Sequence, residues 1–319
     1  MPRLTNLDEV LFPVAEHPVF VSVPNGAGER RVPVPDKKAI VNMKRDRVLG
    51  VVSRGYRLVP NRQALDWAFE CCRTVFPETQ PGEWEVNATD APGTGGHCTI
   101  DLTHNSTALD FSFVPASKRP DAFGPFIRVS NSYNGLRALG FDVGFYRKVC
   151  KNGLVLRDSI IRFKFTHLRR DIGETVRFEV AHERLTAAKN DFREYLGALQ
   201  KCAIGRVDFD PLLRAVLRFK EPTKLESDTP AAEDWASLTA HLTELADRYA
   251  GELGENAYAV FNAVTDFASH PPQNRHVHRD RHSYQRLAGT WLADFSENCR
   301  QPDFALARYL EELKSAPPN

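Results

Sequence analysis

The sequence predicts an α+β protein, with an antiparallel sheet in the N-terminal and central parts and helices in the C-terminal part. Two patterns predict this fold class. From residue 83 to residue 167, short runs rich in β-branched and aromatic residues alternate with turn residues, which is typical of strands. After Gly173, apolar residues recur every three to five positions with charges between them, which is typical of amphipathic helices.

The same change of pattern predicts the domain organisation. We expect a β-rich basic domain with one early helix over residues 1–173 and a helical region over residues 174–319. The polar, proline-containing stretch 221–230 is the best candidate for a linker.

The first 60 residues predict short extended segments. Prolines interrupt the run FPVAEHPVFVSVP and Asn25-Gly26 is a turn signal, so we expect a hairpin at a sheet edge, where proline is tolerated. A β-branched run, RVLGVVS, follows. Asn61 is then a candidate N-cap for a helix that ends before Pro77.

The central strands are predicted over residues 84–86, 98–102, 126–130, 144–150 and 154–165. The loop between the first two contains three glycines but lacks the lysine and the serine or threonine of a phosphate-binding P-loop. In the last strand, strict alternation places Ile161, Phe163, Phe165 and His167 on one face and Arg162, Lys164 and Thr166 on the other. We expect the first face to be core and the second to be cationic. Helices are predicted over residues 178–201, 210–219, 231–250, 256–268, 282–298 and 302–314.

The composition is that of an ordinary globular protein. Hydrophobic residues make up 42% and charged residues 26% of the 319 residues. No apolar stretch approaches the roughly 20 residues that a membrane helix needs, and the N-terminus lacks the features of a signal peptide. Six cysteines show no CxxC pair. We therefore expect a cytoplasmic protein with reduced thiols and no contact with membranes.

The net charge of +1 conceals an uneven distribution. From Lys118 to Arg170 there are 12 basic and three acidic residues, so this segment carries +9 and the rest of the chain −8. A positive patch of this size attracts polyanions.

Two blocks of sequence carry a resemblance to a known family. They are VSNSYNGL, which begins at Val129, and FYRKVCKNGL, which begins at Phe145. With VLGVVS at Val48 and the Phe165-Thr166-His167 triplet, they resemble the phage/plasmid-like family filed as Domain of Unknown Function 932. The resemblance implies an association with mobile elements and no assigned reaction. The family usually has aspartate where this chain has Asn134.

The basic region predicts a nucleic-acid interface. Lysines and arginines on an exposed sheet face can follow a phosphate backbone, and interleaved aromatic rings can stack on unpaired bases. The candidate binding residues are Arg128, Asn131, Tyr133, Arg137, Arg147, Lys148, Lys151, Arg162 and Lys164, and the candidate stacking rings are Phe126, Tyr133, Phe145 and Tyr146. We expect a protein that binds single-stranded DNA in replication, recombination or maintenance of a mobile element, and that works as a homo-oligomer. The alternative is that these cations pair with the acidic remainder of the chain.

A second hypothesis is cysteine-dependent hydrolysis. Cys150 would be the nucleophile, His167 its base, and Asn152 or Asn131 the group that orients the base. A buried cysteine beside a hydrogen-bonded histidine is the alternative. A third hypothesis is a host-interaction or anti-defence protein with no chemistry of its own.

Two further groups have a structural interpretation. The four histidines His270, His276, His278 and His282 have spacings seen in metal sites, but the arginines between them oppose a cation, so we expect a polar loop or a second anion contact. Asn131, Ser132, Asn134 and Gly135 are typical of a turn, which could also hold a phosphate or a base edge. The sequence indicates neither a metal nor a cofactor.

Overall fold

The computed structural model describes residues 7–26, 28–90, 94–104, 111–113, 121–148, 152–155, 162–167, 181–222 and 229–315. Within the helices and strands, the side chains of residues 88–90, 111, 152–155, 162–164 and 181–189 are outside the description.

The N-terminal sheet has three antiparallel strands in sequence order: β1 (Val14–Asn25), β2 (Gly28–Asn42) and β3 (Arg47–Ser53). β1 and β2 form a long hairpin that is exposed along most of its length. The sheet is thus separate from the central one, whereas the sequence predicted a hairpin at a sheet edge. Its inner face packs against the body of the protein through a small core of six buried residues: Phe12, Ile40, Leu49, Val52, Tyr56 and Tyr133.

The central sheet has seven antiparallel strands. They are β4 (Trp84–Asp90), β5 (His97–His104), β6 (Phe111–Phe113), β7 (Asp121–Ser132), β8 (Leu139–Arg147), β9 (Asn152–Val155) and β10 (Arg162–Phe165). The order is β10-β8-β7-β5-β4, with β6 beside β7 and β9 beside β8. The predicted strand over residues 154–165 is divided between β9 and β10, which pair with different ends of β8.

The described residues form seven helices, which follow from the helical pattern of apolar residues. They are α1 (Asn61–Val75), α2 (Ala181–Lys201), α3 (Arg206–Val216), α4 (Pro230–Leu253), α5 (Ala257–Ser269), α6 (Arg281–Asn298) and α7 (Leu306–Ser315). Thr229, Asn256 and Asp280 cap α4, α5 and α6 by accepting hydrogen bonds from backbone amides of the first turn. Among the helices of the described residues, none combines the length and apolar character that crossing a bilayer requires.

Asn61 does not have the predicted capping role. It is the first helical residue of α1, after Pro60, and its Nδ2 donates to the carbonyl of Val10 at 2.8 Å. Its side chain is buried, so it joins two segments of the core instead of closing the helix.

The α+β fold class is confirmed. The apolar face of the central sheet contributes Ile100, Val129 and Phe141 to a large core that also contains residues of α1 and of the C-terminal helices. This core therefore includes residues from both predicted regions. The domain boundary at residue 173 lies outside the described residues, as does most of the predicted linker, and both stay predictions.

Candidate functional site

A row of charged residues crosses the central sheet. The strand register places Asp101 on β5 opposite Arg128 on β7, Arg128 opposite Asp142 on β8, and Asp142 opposite Arg162 on β10. Residues that pair directly in antiparallel strands share a face of the sheet. The side chains of Asp101, Arg128 and Asp142 therefore alternate in charge along one face, and we call these three residues the charge row.

Arg128 is enclosed within the charge row and is only 1% exposed. Its Nε and Nη2 donate to the two carboxylate oxygens of Asp101, each at 2.6 Å. Its Nη1 donates to Oε1 of Gln285 on α6 at 2.5 Å. Burial alone would lower the pKa of Arg128, but the charge and hydrogen bonds of Asp101 raise it above the ordinary value. The guanidinium is thus a paired, permanently charged part of the interior.

His282, in the first turn of α6, covers the charge row. Its Nδ1 lies 3.3 Å from Nη1 of Arg128, and its Nε2 lies 3.6 Å from Oδ2 of Asp142. Because a guanidinium only donates, Nδ1 must accept and the ring is neutral. Burial, and then the charge of Arg128, lower the pKa of His282 to about 3. The start of α6 therefore shields the polar face of the sheet from solvent.

The expectation that Arg128 and Arg147 lie on an exposed cationic face is wrong. Arg147 is opposite Phe123 in the register, which places it on the face away from the charge row, and it is 8% exposed. Its Nε donates to Oδ1 of Asp121 at 2.8 Å. The second oxygen of Asp121 accepts from the hydroxyl of Tyr258 at 2.6 Å. Both arginines are therefore buried in ion pairs with carboxylates of neighbouring sheet positions.

The remaining predicted cations have different surroundings. Arg137 is partly exposed and its Nη2 donates to Oδ2 of Asp280 at 2.6 Å, which ties the sheet to the cap of α6. Lys148 is half-buried just beyond β8, and its backbone amide donates to the carbonyl of Ala122. Only the backbone of Arg162 and Lys164 is described, and Lys151 lies outside the described residues.

The predicted stacking rings are not available to bases. Phe126, Tyr133 and Phe145 are at most 2% exposed. Phe145 stacks on Phe192 of α2 with 5.1 Å between ring centroids. Tyr146 is half-buried, and its hydroxyl donates to the carbonyl of His104 at 3.0 Å. These rings pack in the interior because both faces of this sheet are covered.

Asn131 and Tyr133 are buried where β7 meets the start of α1. The Nδ2 of Asn131 donates to the carbonyl of Val59 and to Oδ1 of Asn61, both at 2.8 Å. The hydroxyl of Tyr133 accepts from the backbone amide of Asn61, also at 2.8 Å. Burial raises the pKa of Tyr133 well above its ordinary value. The two side chains position this helix and do not face solvent.

The predicted turn after β7 is present. The backbone amide of Leu136 donates to Oδ1 of Asn134 at 3.1 Å, and Gly135 has a φ of +75°. Ser132 completes the turn, since its hydroxyl donates to the carbonyl of Arg137 at 2.7 Å. Local hydrogen bonds from asparagine and a positive φ at glycine are the two features that the sequence indicated.

The predicted cysteine site is described only in part. Cys150 lies outside the described residues, and Asn152 is described by its backbone alone. His167 is 4% exposed, stacks on Tyr56 at 4.6 Å between centroids, and has Nδ1 at 2.9 Å from the carbonyl of Arg57. Its Nε2 is buried without a hydrogen-bond partner among the described residues, and burial lowers its pKa. Catalysis by this group stays a prediction.

The four C-terminal histidines have separate surroundings. His270 pairs with Asp266 at 3.0 Å, His276 contacts the carbonyl of Ala231 at 2.9 Å, and His282 joins the charge row. His278 lies on the wall of a cavity between the helices. Within the described ranges, no three or more histidine, cysteine or acidic residues are grouped as metal ligands.

The N-terminal sheet carries a group of exposed cations. Six exposed basic residues lie on or beside it, and none of them forms an ion pair with a described residue: Arg30, Arg31, Lys37, Lys44, Arg45 and Arg54. We call them the exposed cations. Apolar side chains between them are also exposed, including Phe20 at 51% and Val51 at 53%. An exposed surface with this mixture of cations and large apolar groups is suited to contact another molecule.

A comparison with protein families gave one match. A family model described as a domain of unknown function (DUF932) matches residues 48–291, which is most of the chain. The chain belongs to this family. A search of curated proteins and a search of solved structures each found no match.

The DUF932 match covers the charge row but only one of the six exposed cations. The charge row and the first part of α6 lie within the matched residues, whereas β1 and β2 precede them. Most of the exposed cations therefore belong to the segment of this chain that precedes the match.

The sequence interpretation missed Asp101, Asp142 and Gln285. A signal for the first two was present, because each is the single carboxylate of its strand, with an apolar residue on either side. Gln285 gave no comparable signal, since a glutamine on a helix is usually solvated. The exposed cations were missed because the excess of basic residues in the central segment was taken to mark the binding surface.

Proposed function

We propose that the protein binds nucleic acid, and single-stranded DNA in particular, through its N-terminal sheet. The observation that carries the proposal is the set of exposed cations, which have no ion-pair partners among the described residues. An unpaired surface cation can exchange its counterion for a phosphate, which provides affinity independent of sequence.

The shape of the sheet supports a long polyanion as the ligand. The 15 residues of β2 extend for roughly 50 Å at about 3.3 Å per residue. Arg30 and Arg31 lie near the tip of the hairpin, Lys37 near its middle, and Lys44 and Arg45 beyond its far end. Cations spread along such a length match successive phosphates of one strand better than they match a small anion.

Phe20 supports single-stranded over double-stranded DNA. Its ring is half-exposed and lies opposite Pro33 in the register, on the face of the hairpin that also carries Arg31. A ring in this setting can stack on an unpaired base, which contributes about 1–3 kcal/mol per base. A two-stranded ribbon can also enter the major groove of a duplex, so both forms must be compared directly.

The biological setting follows from the expected association of the family with mobile elements. We place the activity in replication, recombination or maintenance of such an element, with the protein acting as a homo-oligomer. Light scattering at several protein concentrations would test the oligomer.

A mobility-shift titration tests the proposed function. The same sequence is offered as a single strand and as a duplex, at 50 and 200 mM salt. We expect a shift of the single strand at the lower salt, a weaker shift of the duplex, and loss of affinity at the higher salt. The absence of a shift for both forms at 50 mM salt would contradict the proposal.

A further inference from the structure

A cavity of about 880 Å³ lies in the helical half of the protein. Its walls come from the end of α3 and the residues after it, the start of α4, the loop before α6, and the end of α7. The volume is within the range of about 300–1,000 Å³ that is usual for sites of small ligands. The cavity is distinct from the N-terminal sheet and from the charge row.

The lining of this cavity is strongly cationic. The lining includes one carboxylate, that of Glu221, and five lysine and arginine residues, so its net charge is +4: Arg214, Arg218, Lys220, Arg279 and Lys314. Lys314 also pairs with Glu311, which is outside the lining, at 2.7 Å. The Nε of Arg214 is buried without a hydrogen-bond partner among the described residues. Cations that converge on one space, with one donor left unbonded, favour an anion with several charges.

Arg218 is held in a conformation that normally belongs to glycine. Its φ is +63°, in the left-handed region. The amide of Phe219 donates to the carbonyl of Arg214, and the amide of Arg218 to that of Ala215, which is the hydrogen-bond pattern of a helix end that favours glycine at this position. An arginine occupies this position in spite of the steric cost of a side chain at positive φ. Its Nη1 donates to the carbonyl of Leu313 at 2.6 Å. This anchor fixes the guanidinium at the cavity wall.

Two aromatic residues form part of the same lining. Trp235 is nearly buried and meets His276 edge-on with 5.3 Å between centroids. Phe219 packs against Phe267 at 5.4 Å and Tyr284 at 6.0 Å. Each ring is held by its neighbours, so the cavity combines fixed aromatic surface with positive charge.

We propose that this cavity binds a nucleoside polyphosphate. The cations contact the phosphates, and Trp235 and Phe219 contact the base. Adenosine diphosphate, with about three negative charges, matches the +4 lining and the volume. The site is independent of the proposed DNA surface, since no exposed cation of the N-terminal sheet lines it.

Titration calorimetry of the full chain tests the ligand class. The probes are ADP, adenosine and pyrophosphate, each without divalent cations and at 50 mM salt. We expect ADP to bind at least about tenfold more tightly than either fragment. Only ADP has both a base for the aromatic rings and phosphates for the cations of the lining. The proposal is overturned if ADP at 1 mM does not bind, or if either fragment binds as tightly as ADP.

Charge reversal tests the location of the site. Lys220→Glu and Lys314→Glu change exposed cations of the lining, and Lys201→Glu makes the same change at an exposed residue on α2 outside the cavity. We expect each of the first two to weaken ADP binding at least threefold and the third to leave it unchanged. Neither lining variant should alter binding of single-stranded DNA. Equal ADP affinity in all three variants would exclude the cavity as the site.

Arg218→Gly keeps the fold and removes one phosphate contact. Glycine accepts the left-handed conformation, which offsets the lost hydrogen bond to Leu313. We expect an unchanged melting temperature together with ADP affinity lowered at least threefold. Full ADP affinity in this variant would overturn the assigned role of Arg218.

Discussion

Arg128 lies between two carboxylates in the strand register, with Asp101 on one side and Asp142 on the other. A buried guanidinium is tolerated only when its charge and its donors are matched, and here Asp101 accepts two of its hydrogen bonds. Arg128 thus has a structural part in joining β5, β7 and α6, and its burial keeps it from contacting a ligand phosphate.

Asp101→Asn tests this role of the buried pair. The substitution keeps the shape of the side chain but leaves the charge of Arg128 without its main partner. We expect the free energy of unfolding, measured by urea titration, to fall by about 3 kcal/mol. Glu16→Gln, which breaks the surface pair with Lys38, is the control and should cost less than about 1 kcal/mol. Similar losses for both variants would contradict the role given to Asp101.

The shifted pKa of His282 makes the stability of the fold depend on pH. Its pKa is about 3 in the folded protein because of burial and the charge of Arg128, whereas the unfolded chain takes up the proton near pH 6.5. Acid therefore favours the unfolded chain, and this part of the stability is present above pH 6.5 and decreases below it. Asp142, Asp101, Asp280 and Arg286 also face or influence the ring.

The window from pH 7 to pH 5 isolates the histidine contribution. The half-buried carboxyl of Asp280 has a lowered pKa, held down by Ser283 and Arg137 against the effect of burial, and titrates below this window. We expect the wild type to lose about 2 kcal/mol more than His282→Gln between the two pH values, as measured by urea unfolding. Equal losses would show that His282 is not the group responsible. His167, whose pKa is also lowered, contributes the same pH dependence to the wild type and to His282→Gln.

At the scale of elements, β3 and the turn after β7 approach each other at Gly50. A Cβ added to Gly50 would lie 2.5 Å from the Cα of Asn134, closer than any side chain can accept. The N-terminal sheet is held against the central sheet by this backbone contact and by the small core around Ile40 and Tyr133.

Gly50→Ala should therefore loosen the junction of the two sheets. Because the neighbouring atom belongs to the backbone, relief requires a shift of the strand or the turn, and we expect a loss of roughly 1–3 kcal/mol in unfolding free energy. Gly55→Ala is the matched control, since nothing lies within 4 Å of its added Cβ. Thermal unfolding of both variants provides the measurement, and equal melting temperatures would contradict the account.

The sequence predicted most helices and central strands to within a few residues because their apolar periodicity is local information. It could not predict that Asp101 and Asp142 would flank Arg128, since pairing depends on strand order and register. Alternation along a strand predicts two unlike faces, but it does not say whether the polar face meets water. At Arg128 on β7, α6 covers the polar face, bringing Gln285 and His282 from more than 150 positions along the chain.

For the whole molecule, the arginines of the central segment that the structure describes are paired with carboxylates and do not form an exposed cationic face. Arg128 and Arg147 are neutralised by Asp101 and Asp121, and Arg137 by Asp280 of the helical half. Asp101 and Asp280 belong to the acidic remainder of the chain, so the internal pairing that was the alternative interpretation is present for Arg128 and Arg137, whereas Asp121 lies within the basic segment itself. The N-terminal sheet and the cavity between the helices each group several cations.

The central claim is that DNA contacts the exposed cations of the N-terminal sheet, and charge reversal at the hairpin tests it most directly. Fluorescence anisotropy with a labelled single strand compares the wild type, Arg30→Glu with Arg31→Glu, and a control with Lys201→Glu and Arg300→Glu on the helical half. We expect the hairpin variant to bind at least about tenfold more weakly, and the slope of log affinity against log salt to become shallower by about 1.4, or 0.7 for each lost phosphate contact. The control should bind like the wild type. Equal affinity of the hairpin variant and the wild type would contradict the claim.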